Sequence, residues 1–416
     1  MKKWWSISFA TCSSFLVLAS CASYQGKVNT ARTALERGNY DEAIADFQKL
    51  VASDGRDKLV YLMDLGTALQ VAGKYSESNK VFSEADDLSE QLDYHSVSKV
   101  ASSLVLSEEM VQYKGDTFEK IFINAYKALN YLQLGDLENA VVQARRINEK
   151  YQQYRQDEKK SFELNFFARY IAALAREASR DYDNAYVALT EAYSIDPRSP
   201  QIQEDLIRLS KKARRDTDYK KWVAQFGAHV EKPEWYDPNL ATMVFIFHQG
   251  WGPRKEADFD YRFPALKRVS STSSRAEVQL ISPDGKKIAG PIGTQDIYDV
   301  SEAAIKTLAD DRLSLLGRRA AGIVAKKVVS DKLGEHDSAL GAIAWIALNA
   351  TDRADLRQWS TLPNSFQIVR MQIPPGKYQV QARGLAYTQT SLTGWQTLQD
   401  IDVRKNQMVF VNWRSF

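Results

Sequence analysis

A short pattern occurs four times in the N-terminal half of this chain and limits the folds that this half can adopt. In each copy a turn precedes an aromatic residue or leucine, a small residue follows three positions later, and a larger or second small residue follows four positions beyond that. The copies are Gly38-Asn39-Tyr40 with Ala43 and Phe47, Gly73-Lys74-Tyr75 with Ser78 and Phe82, Gly135-Asp136-Leu137 with Ala140 and Ala144, and Arg180-Asp181-Tyr182 with Ala185 and Leu189. Glycine can close one helix in a left-handed conformation, and a small residue lets the next helix pack closely against it. The pattern therefore predicts a series of paired helices.

The sequence around these turns resembles tetratricopeptide (TPR) repeats. From residue 21 to about residue 215 the chain is rich in helix-forming residues and almost free of proline before Pro197. Alanines also recur in the helix before each turn, at Ala34, Ala68, Ala128 and Ala175. The spacing of the turns is uneven, however, because Gly73 and Gly135 are almost twice as far apart as Gly38 and Gly73. The resemblance implies a repeat domain with an extended concave groove. Generic helical hairpins without such a groove are the alternative.

The first 20 residues are predicted to be a lipoprotein signal peptide. Two lysines precede an apolar stretch from residue 4 to residue 18, and the sequence Leu18-Ala19-Ser20-Cys21 closes it. This sequence resembles the lipobox of bacterial lipoproteins, which implies that Cys21 carries a lipid and becomes the first residue of the mature protein. Ala22 follows it, where inner-membrane lipoproteins carry Asp, so we expect an outer-membrane protein that faces the periplasm. An uncleaved membrane helix is the alternative.

The helical pattern breaks at residues 216–238, where Pro233, Trp235 and Pro238 follow one another closely, and we predict a linker there. Residues 239–416 contain five strand-like runs, at 243–247, 276–281, 366–373, 378–382 and 408–413. The turn Pro374-Pro375-Gly376 resembles the edge turn of small secreted β-sandwich modules of the prealbumin type. Between about residues 300 and 357 the periodicity is helical again. The second half is therefore predicted to be an α+β domain, a small β-sandwich-like sheet with a helical insertion.

The sequence contains no pattern typical of an enzyme or of a metal site. Its histidines, His95, His229, His248 and His336, have no metal-binding spacing, and no serine or glycine-rich loop stands in a catalytic motif. The second of the two cysteines is assigned to the lipid. With 55 basic and 52 acidic side chains, the net charge of +3 gives no field that would attract nucleic acid. We therefore predict a non-enzymatic protein without cofactor, metal or nucleic-acid partner.

A candidate binding loop follows the first strand-like run. It consists of Gly250, Trp251, Gly252, Pro253, Arg254, Lys255 and Glu256. Two glycines, a proline, a tryptophan and two cations at a strand end suit the recognition of an anionic or planar group. The alternative is a wide turn with Trp251 folded back onto the sheet.

A second motif, which leads into the run at 366–373, combines Asp352, Arg353, Asp355 and Arg357 with Trp359. Aspartate and arginine at this spacing can form fork-type ion pairs, which we predict to tie the helical insertion to the sheet. A binding role for the same residues is the alternative.

Together these features resemble an uncharacterised group of proteobacterial TPR-containing outer-membrane lipoproteins. The resemblance rests on the lipobox, the repeats, the Gly-x-Gly-Pro-x-Lys-x-Glu loop from Gly250 to Glu256, the Asp-x-Arg-x-Trp motif at Asp355–Trp359, and the Pro-Pro-Gly turn. It would cover nearly the whole chain. The group has no established activity, so the resemblance implies no catalytic residue.

The sequence as a whole favours a membrane-anchored periplasmic scaffold or adaptor. Stacked helix pairs bind peptides or helices without catalytic residues, so the predicted partner is an envelope protein in the repeat groove. Such a protein would support the assembly of cell-wall or surface machinery, with peptidoglycan or other envelope lipoproteins as further partners. The alternative is a glycan-binding protein or an unrecognised enzyme whose site lies near Trp251.

Overall fold

The computed structural model describes residues 24–53, 55–94, 112–156, 165–258, 263–309 and 354–416, together with residues 323–324, 327–328 and 330–332. The signal peptide, the lipidation candidate Cys21, and Asp352 and Arg353 of the ion-pair motif lie outside the described residues. So does most of the predicted helical insertion.

The N-terminal half consists of helices that pair in sequence order. Their bounds are α1 Tyr24–Glu36, α2 Tyr40–Ser53, α3 Lys58–Val71, α4 Tyr75–Tyr94, α5 Thr117–Leu134, α6 Leu137–Gln156, α7 Phe166–Ala178, α8 Tyr182–Ile195, α9 Pro200–Lys212 and α10 Asp216–Phe226. The turn glycines Gly38, Gly73 and Gly135 have φ angles of 78°, 75° and 72°. Ala43, Ser78, Ala140 and Ala185 are fully buried between the paired helices. The predicted TPR-like helical pairs are therefore confirmed.

Helices α3, α5 and α7, which we call the inner helices, are covered on nearly all sides. Every residue from Leu59 to Gln70 of α3 is buried, whereas α2 buries only Ala43, Ile44 and Phe47. A helix that is enclosed all round must be covered by more than its own partner helix. The additional cover comes from the C-terminal half of the chain.

The segment 216–238, predicted as a linker, is instead folded. It contains α10 and two short 3-10 turns, Ala228–Val230 and Pro233–Tyr236. Trp222 and Trp235 are buried in it, and Trp222 stacks on Phe226 with ring centroids 5.5 Å apart. The prediction was wrong because apolar residues at helical spacing in α10 outweigh the prolines that follow it.

Among the residues that the structure describes, the C-terminal half forms two four-stranded sheets and one two-stranded sheet. Its strands are β1 Ala241–Gln249, β2 Arg254–Ala257, β3 Pro264–Lys267, β4 Arg275–Ile281, β5 Lys287–Gly293, β6 Gln295–Asp299, β7 Ser365–Ile373, β8 Gly376–Leu385, β9 Gln396–Val403 and β10 Met408–Ser415. The five predicted strands are confirmed as β1, β4, β7, β8 and β10. The other strands were missed because they are short or lie at exposed edges, where the alternation of apolar residues is weak.

The two larger sheets form a sandwich. The first has the order β10-β1-β7-β6, with β1 parallel to β10 and antiparallel to β7, and the second has the order β5-β4-β8-β9. Phe245 of β1 packs with Leu280 and Val380 between the sheets, whereas Val244 and Ile246 face the helical half. The first sheet is therefore buried on both faces, which explains why all nine residues of β1 are buried.

The chain that leads from β6 to β7, two neighbouring strands of the first sheet, crosses the helical half before it enters β7. A helix begins at residue 300 and is described as far as residue 309. Residues 354–364, which we call the connecting segment, have no helix or strand and lead directly into β7. The predicted helical insertion reached about residue 357, but residues 354–357 are irregular rather than helical.

Candidate functional site

A cluster of buried polar groups lies where the connecting segment crosses the inner helices. Trp359 is its centre, with only 1% of its surface exposed. Its ring centroid lies 5.1 Å from that of Tyr126 on α5 and 5.6 Å from that of Phe82 on α4. The indole Nε1 donates hydrogen bonds to the hydroxyls of Thr67 and Thr361, at 2.9 and 3.1 Å. Trp359 thus fills the space between the inner helices.

Asp64 of α3 binds the residues that follow this tryptophan. Its Oδ1 accepts hydrogen bonds from the backbone N–H and the hydroxyl of Thr361, both at 2.9 Å. Its Oδ2 accepts from the hydroxyls of Tyr24 and Ser360, at 2.6 and 3.0 Å. Burial raises the pKa of the Asp64 carboxyl to about 6, although these hydrogen bonds act to lower it. Both carboxylate oxygens are therefore engaged within the chain.

Glu119 of α5 plays a similar part. Its Oε1 accepts from the backbone N–H of Trp359 at 2.7 Å, and its Oε2 accepts from the hydroxyl of Tyr113 at 2.6 Å and from the backbone N–H of Asp116 at 3.0 Å. Burial, with the nearby carboxylate of Asp116, raises the pKa of Glu119 to about 7. Two inner helices thus each use a carboxylate to hold backbone N–H groups of the connecting segment.

The described part of the predicted ion-pair motif forms a fork-type pair. The guanidinium of Arg357 donates to both oxygens of Asp355, at 2.8 and 2.7 Å, and to Asp57 Oδ1 at 3.0 Å. Asp57 immediately precedes α3. The pair therefore ties the connecting segment to the helical half, rather than the helical insertion to the sheet as predicted.

The candidate binding loop contacts this ion-pair motif directly. The side-chain amide of Gln358 donates to the carbonyl of Pro253 at 2.6 Å and accepts from the backbone N–H of Lys255. The Lys255 ammonium donates to the carbonyl of Arg357 at 3.1 Å and lies 3.4 Å from the carboxylate of Asp116. Two motifs that were identified separately in the sequence are thus parts of one interface.

Trp251 of the same loop is buried. Its ring centroid lies 4.3 Å from that of Phe416, and the guanidinium carbons of Arg32 and Arg414 lie 4.3 and 5.2 Å from its centre. Gly252 lies so close to the connecting segment that a Cβ there would come within 3.1 Å of the Leu362 carbonyl oxygen. The structure therefore agrees with a ring folded back into the chain, and the tryptophan is not available to stack on an external planar ligand or a glycan.

At the other end of the interface, a carboxylate is held by arginines. Glu177 of α7 forms ion pairs with Arg208 of α9 and with Arg370 of β7, whose Nη2 lies 3.0 Å from Glu177 Oε2. Asp205 accepts a 2.7 Å hydrogen bond from the hydroxyl of Tyr170. Burial alone would raise the pKa of Glu177, but the charges of Arg208 and Arg370 hold it at about 2. This cluster ties the sheet to the last helices of the array.

His248 lies in the same interface but has no donor or acceptor partner on its side-chain Nε2. Its ring contacts Phe366 and Tyr126 edge-on, with centroids 4.8 and 6.0 Å apart. Burial, with the nearby charge of Arg414, lowers the pKa of His248 to about 3. The imidazole is therefore neutral at physiological pH. Across the described residues, no group of three or more His, Cys, Asp or Glu side chains could hold a metal ion.

The arrangement joins the two halves of the chain. The inner helices, which in the predicted fold line an open groove, are covered by the connecting segment and the first sheet. A partner in that groove, as the sequence suggested, would have to displace Trp359, and this placement of the partner is therefore corrected. The buried carboxylates accept their hydrogen bonds from groups of the chain itself, which is consistent with a role in holding its two halves together.

Sequence reasoning found Trp359, Arg357 and the loop but missed the two carboxylates that bind the connecting segment. A signal for Asp64 was present, because it is the single charged residue between Leu59 and Leu69. A lone carboxylate in such an apolar helix has to find partners when it is buried. The sequence could not name them, since the bond from Asp64 to Thr361 spans 297 residues.

No protein-family model matches this chain, and no curated protein matches its sequence. Among solved structures, MamA residues 41 to the end from Desulfovibrio magneticus RS-1 is similar, with a TM-score of 0.32, 16% identity, and coverage of 49% of this chain and 89% of that chain. A Podosopora anserina putative kinesin light chain with nearly identical TPR-like repeats has a TM-score of 0.34, 14% identity, and coverage of 48% and 92%. TM-scores this low do not establish a shared fold, so the TPR-like character of the helical pairs rests on their own turns and packing.

Proposed function

We propose that this chain is a non-enzymatic scaffold of the cell envelope, in which the helical array and the sandwich act as one body. The observation that carries the proposal is the connecting segment, held along the inner helices by buried carboxylates and by Trp359. An array whose inner face is filled by its own chain keeps its outer surfaces free for a partner protein. Membership in the TPR-containing lipoprotein group is part of the same proposal.

The proposed partner site is a groove on the outer side of the array, which we call the outer groove. Its volume is about 810 Å³, and it lies between α4 and the end of α5. It is lined by Lys58, Ser76, Asn79, Lys80, Ser83, Glu84, Asp87, Leu88, Gln91, Tyr131, Leu134 and Asp136. Leu134 is 48% exposed there. A large apolar side chain that is surrounded by acidic and basic residues is typical of a site that binds another protein.

The proposed anchor is the lipid on Cys21, which leaves a very short tether. Tyr24 is buried in the interface, and its hydroxyl donates to Asp64 at 2.6 Å and lies 2.7 Å from the carbonyl oxygen of Gln358. Three residues of extended chain reach about 10 Å. The array would therefore lie directly on the membrane. In the described part of the chain, no helix is both long and apolar enough to cross a bilayer.

The anchor is tested by cell fractionation and detergent partitioning. Cys21→Ser should move the protein from the membrane fraction to the soluble fraction. Cys12→Ser is the matched control, because this other cysteine lies within the predicted signal peptide and should leave fractionation unchanged. A Cys21→Ser protein that remains tightly bound to the outer membrane would contradict the lipid anchor.

The partner site is tested by crosslinking in cells from a photoreactive residue at position 91, an exposed position in the lining of the same groove, followed by identification of the captured protein. We expect one dominant partner, which Leu134→Asp removes. Val187→Asp is the matched control, since Val187 is 40% exposed on α8, away from the outer groove. Equal loss of the crosslinked product in both variants, or capture of no defined partner, would argue against the outer groove.

A further inference from the structure

The turn between α7 and α8 differs from the three turns that have the same place in earlier helical pairs. Those turns have glycine in the left-handed conformation, at Gly38, Gly73 and Gly135, whereas the fourth has Arg180 at a φ angle of 61°. A residue with a Cβ is disfavoured in this conformation. Glycine would close the turn without strain, so the arginine side chain is the feature that needs an explanation.

Arg180 lies at a cavity between the helical turns and the β9–β10 turn, which we call the seam cavity. Its volume is about 320 Å³. Its lining consists of Gly135, Leu137, Ala178, Arg180, Arg404, Lys405, Asn406, Gln407 and Met408. Three of these residues are cations and none is an aspartate or glutamate. Asn406 also has a left-handed backbone, with a φ angle of 53°.

None of the described carboxylates neutralises these three cations. Arg180, Arg404 and Lys405 form no ion pair in the part of the chain that the structure describes. The Arg180 guanidinium donates only a long hydrogen bond, 3.4 Å, to the carbonyl of Asn406, and the Lys405 ammonium donates to the side-chain oxygen of Asn239 at 3.2 Å. By contrast, Arg176 in the preceding turn of α7 pairs with Asp181 at 3.3 Å. All three side chains are exposed and line one cavity that has no acidic residue in its lining, so an anion that enters the cavity meets only positive charge.

We propose that the seam cavity binds an oxyanion of the phosphate monoester class. A phosphate monoester carries close to two negative charges at neutral pH, and the planar guanidinium fork of arginine matches its oxygen atoms. The cavity is at the small end of the range of ligand sites, which favours a phosphate group over a large ligand. The phosphate belongs either to a small soluble molecule or to a lipid head group. The site does not depend on the proposed scaffold role.

The site is tested with the full chain, and inorganic phosphate is the first probe. Calorimetry at low salt should show saturable binding. Arg180→Gly and Arg404→Ala should each weaken binding about tenfold, the loss typical of one charge-assisted contact. The glycine variant keeps the turn used in the other pairs, so its melting temperature should equal or exceed that of the wild type. Lys287→Ala, which removes an exposed cation on β5, is the matched control and should bind as the wild type does.

Absence of saturable phosphate binding by the wild type would overturn the proposal. So would an equal affinity of the wild type and Arg180→Gly, or an equal loss in Lys287→Ala. Phosphatidylcholine vesicles with and without phosphatidic acid then identify the source. Binding to phosphatidic acid that depends on Arg180 and is competed by free phosphate supports the site with a lipid head group. Phosphate binding without Arg180-dependent vesicle binding supports the site with a soluble phosphate.

Discussion

Both ends of the interface between the array and the sandwich contain buried carboxylates. The pKa of the carboxylate is raised at one end and lowered at the other. At the tryptophan end, defined by Asp64, Glu119 and Trp359, the carboxylates accept hydrogen bonds from hydroxyl and backbone N–H groups. At the arginine end, defined by Glu177, Arg208 and Arg370, the carboxylate is held by guanidinium groups. Burial raises the pKa of Glu119 to about 7, whereas the arginines hold the pKa of Glu177 at about 2.

When burial is equal, the groups around a buried carboxylate decide whether it stays ionised. Neutral donors do not fully offset the loss of hydration of a carboxylate, but two positive charges do. The arginine end should therefore keep the same charge over the physiological pH range. The tryptophan end should take up protons as the pH falls.

The largest expected effect is the loss of Trp359. Trp359→Ala should lower the free energy of unfolding by about 3 to 5 kcal/mol, because it empties a fully buried site between the inner helices. Trp359→Phe is the matched control, since it keeps most of the ring and loses the hydrogen bonds to Thr67 and Thr361, at about 1 to 2 kcal/mol. Chemical denaturation measures both values. An unfolding curve of Trp359→Ala that equals that of the wild type would mean that the tryptophan end does not hold the two halves together.

The second expected effect is a dependence of the free energy of unfolding on pH. Folding raises the pKa of Asp64 from 3.8 to about 6 and that of Glu119 from 4.5 to about 7. The stability linked to these protons is fully present below about pH 4 and is lost as the pH rises through 7. The free energy of unfolding should therefore fall between pH 5 and pH 8. Glutamine does not titrate, so Glu119→Gln should remove the part of this pH-dependent change in unfolding free energy that comes from Glu119. That part is about 3 kcal/mol over the full titration.

The arginine end supplies the control for that slope. The pKa of Glu177 lies below its ordinary value, so its contribution is present above about pH 4.5 and is lost only as the pH falls towards 2. Glu177→Gln should therefore lower stability at every pH from 5 to 8 without changing the slope. Denaturation series at several pH values separate the two variants. Identical slopes for wild type and Glu119→Gln would remove the distinction between the two ends.

The smallest effect compares two fork-type pairs with the same spacing in sequence. Arg357 pairs with Asp355 and is 4% exposed, whereas Arg198 pairs with Asp196 and is 73% exposed. Arg357→Lys should cost about 1 to 3 kcal/mol, because lysine cannot hold the fork and Asp57 together, and Arg198→Lys should cost less than about 0.5 kcal/mol. Equal melting temperatures for the two variants would show that burial of the fork adds nothing to the interface.

Much of the secondary structure could be predicted from short stretches of sequence. The turns at Gly38, Gly73 and Gly135 and the hairpin at Pro374-Pro375-Gly376 were identified from local residues, and the structure has them at these positions. Such features depend on the conformations open to a few neighbouring residues. The short strands and the fold of α10 were missed, because their apolar pattern is weak or is followed by prolines.

The candidate site was predictable only in pieces. Trp251, Lys255, Arg357 and Trp359 stood out as unusual residues, but their roles were assigned to a loop and to a local ion-pair motif. Their contacts join residues far apart in the chain, such as Glu119 and Trp359, which are 240 positions apart. Local periodicity contains no information about such distances.

The helical pairs, the core strands and the faces that must be buried could all be read from the sequence, because backbone geometry and the spacing of apolar residues fix them. What covers the inner helices depends on the packing of distant parts of the chain. The pattern of α3 requires a cover on every side, but a partner protein or another part of the chain would satisfy it equally. The structure places the connecting segment and the first sheet there, since a tethered segment needs no loss of translational freedom to bind.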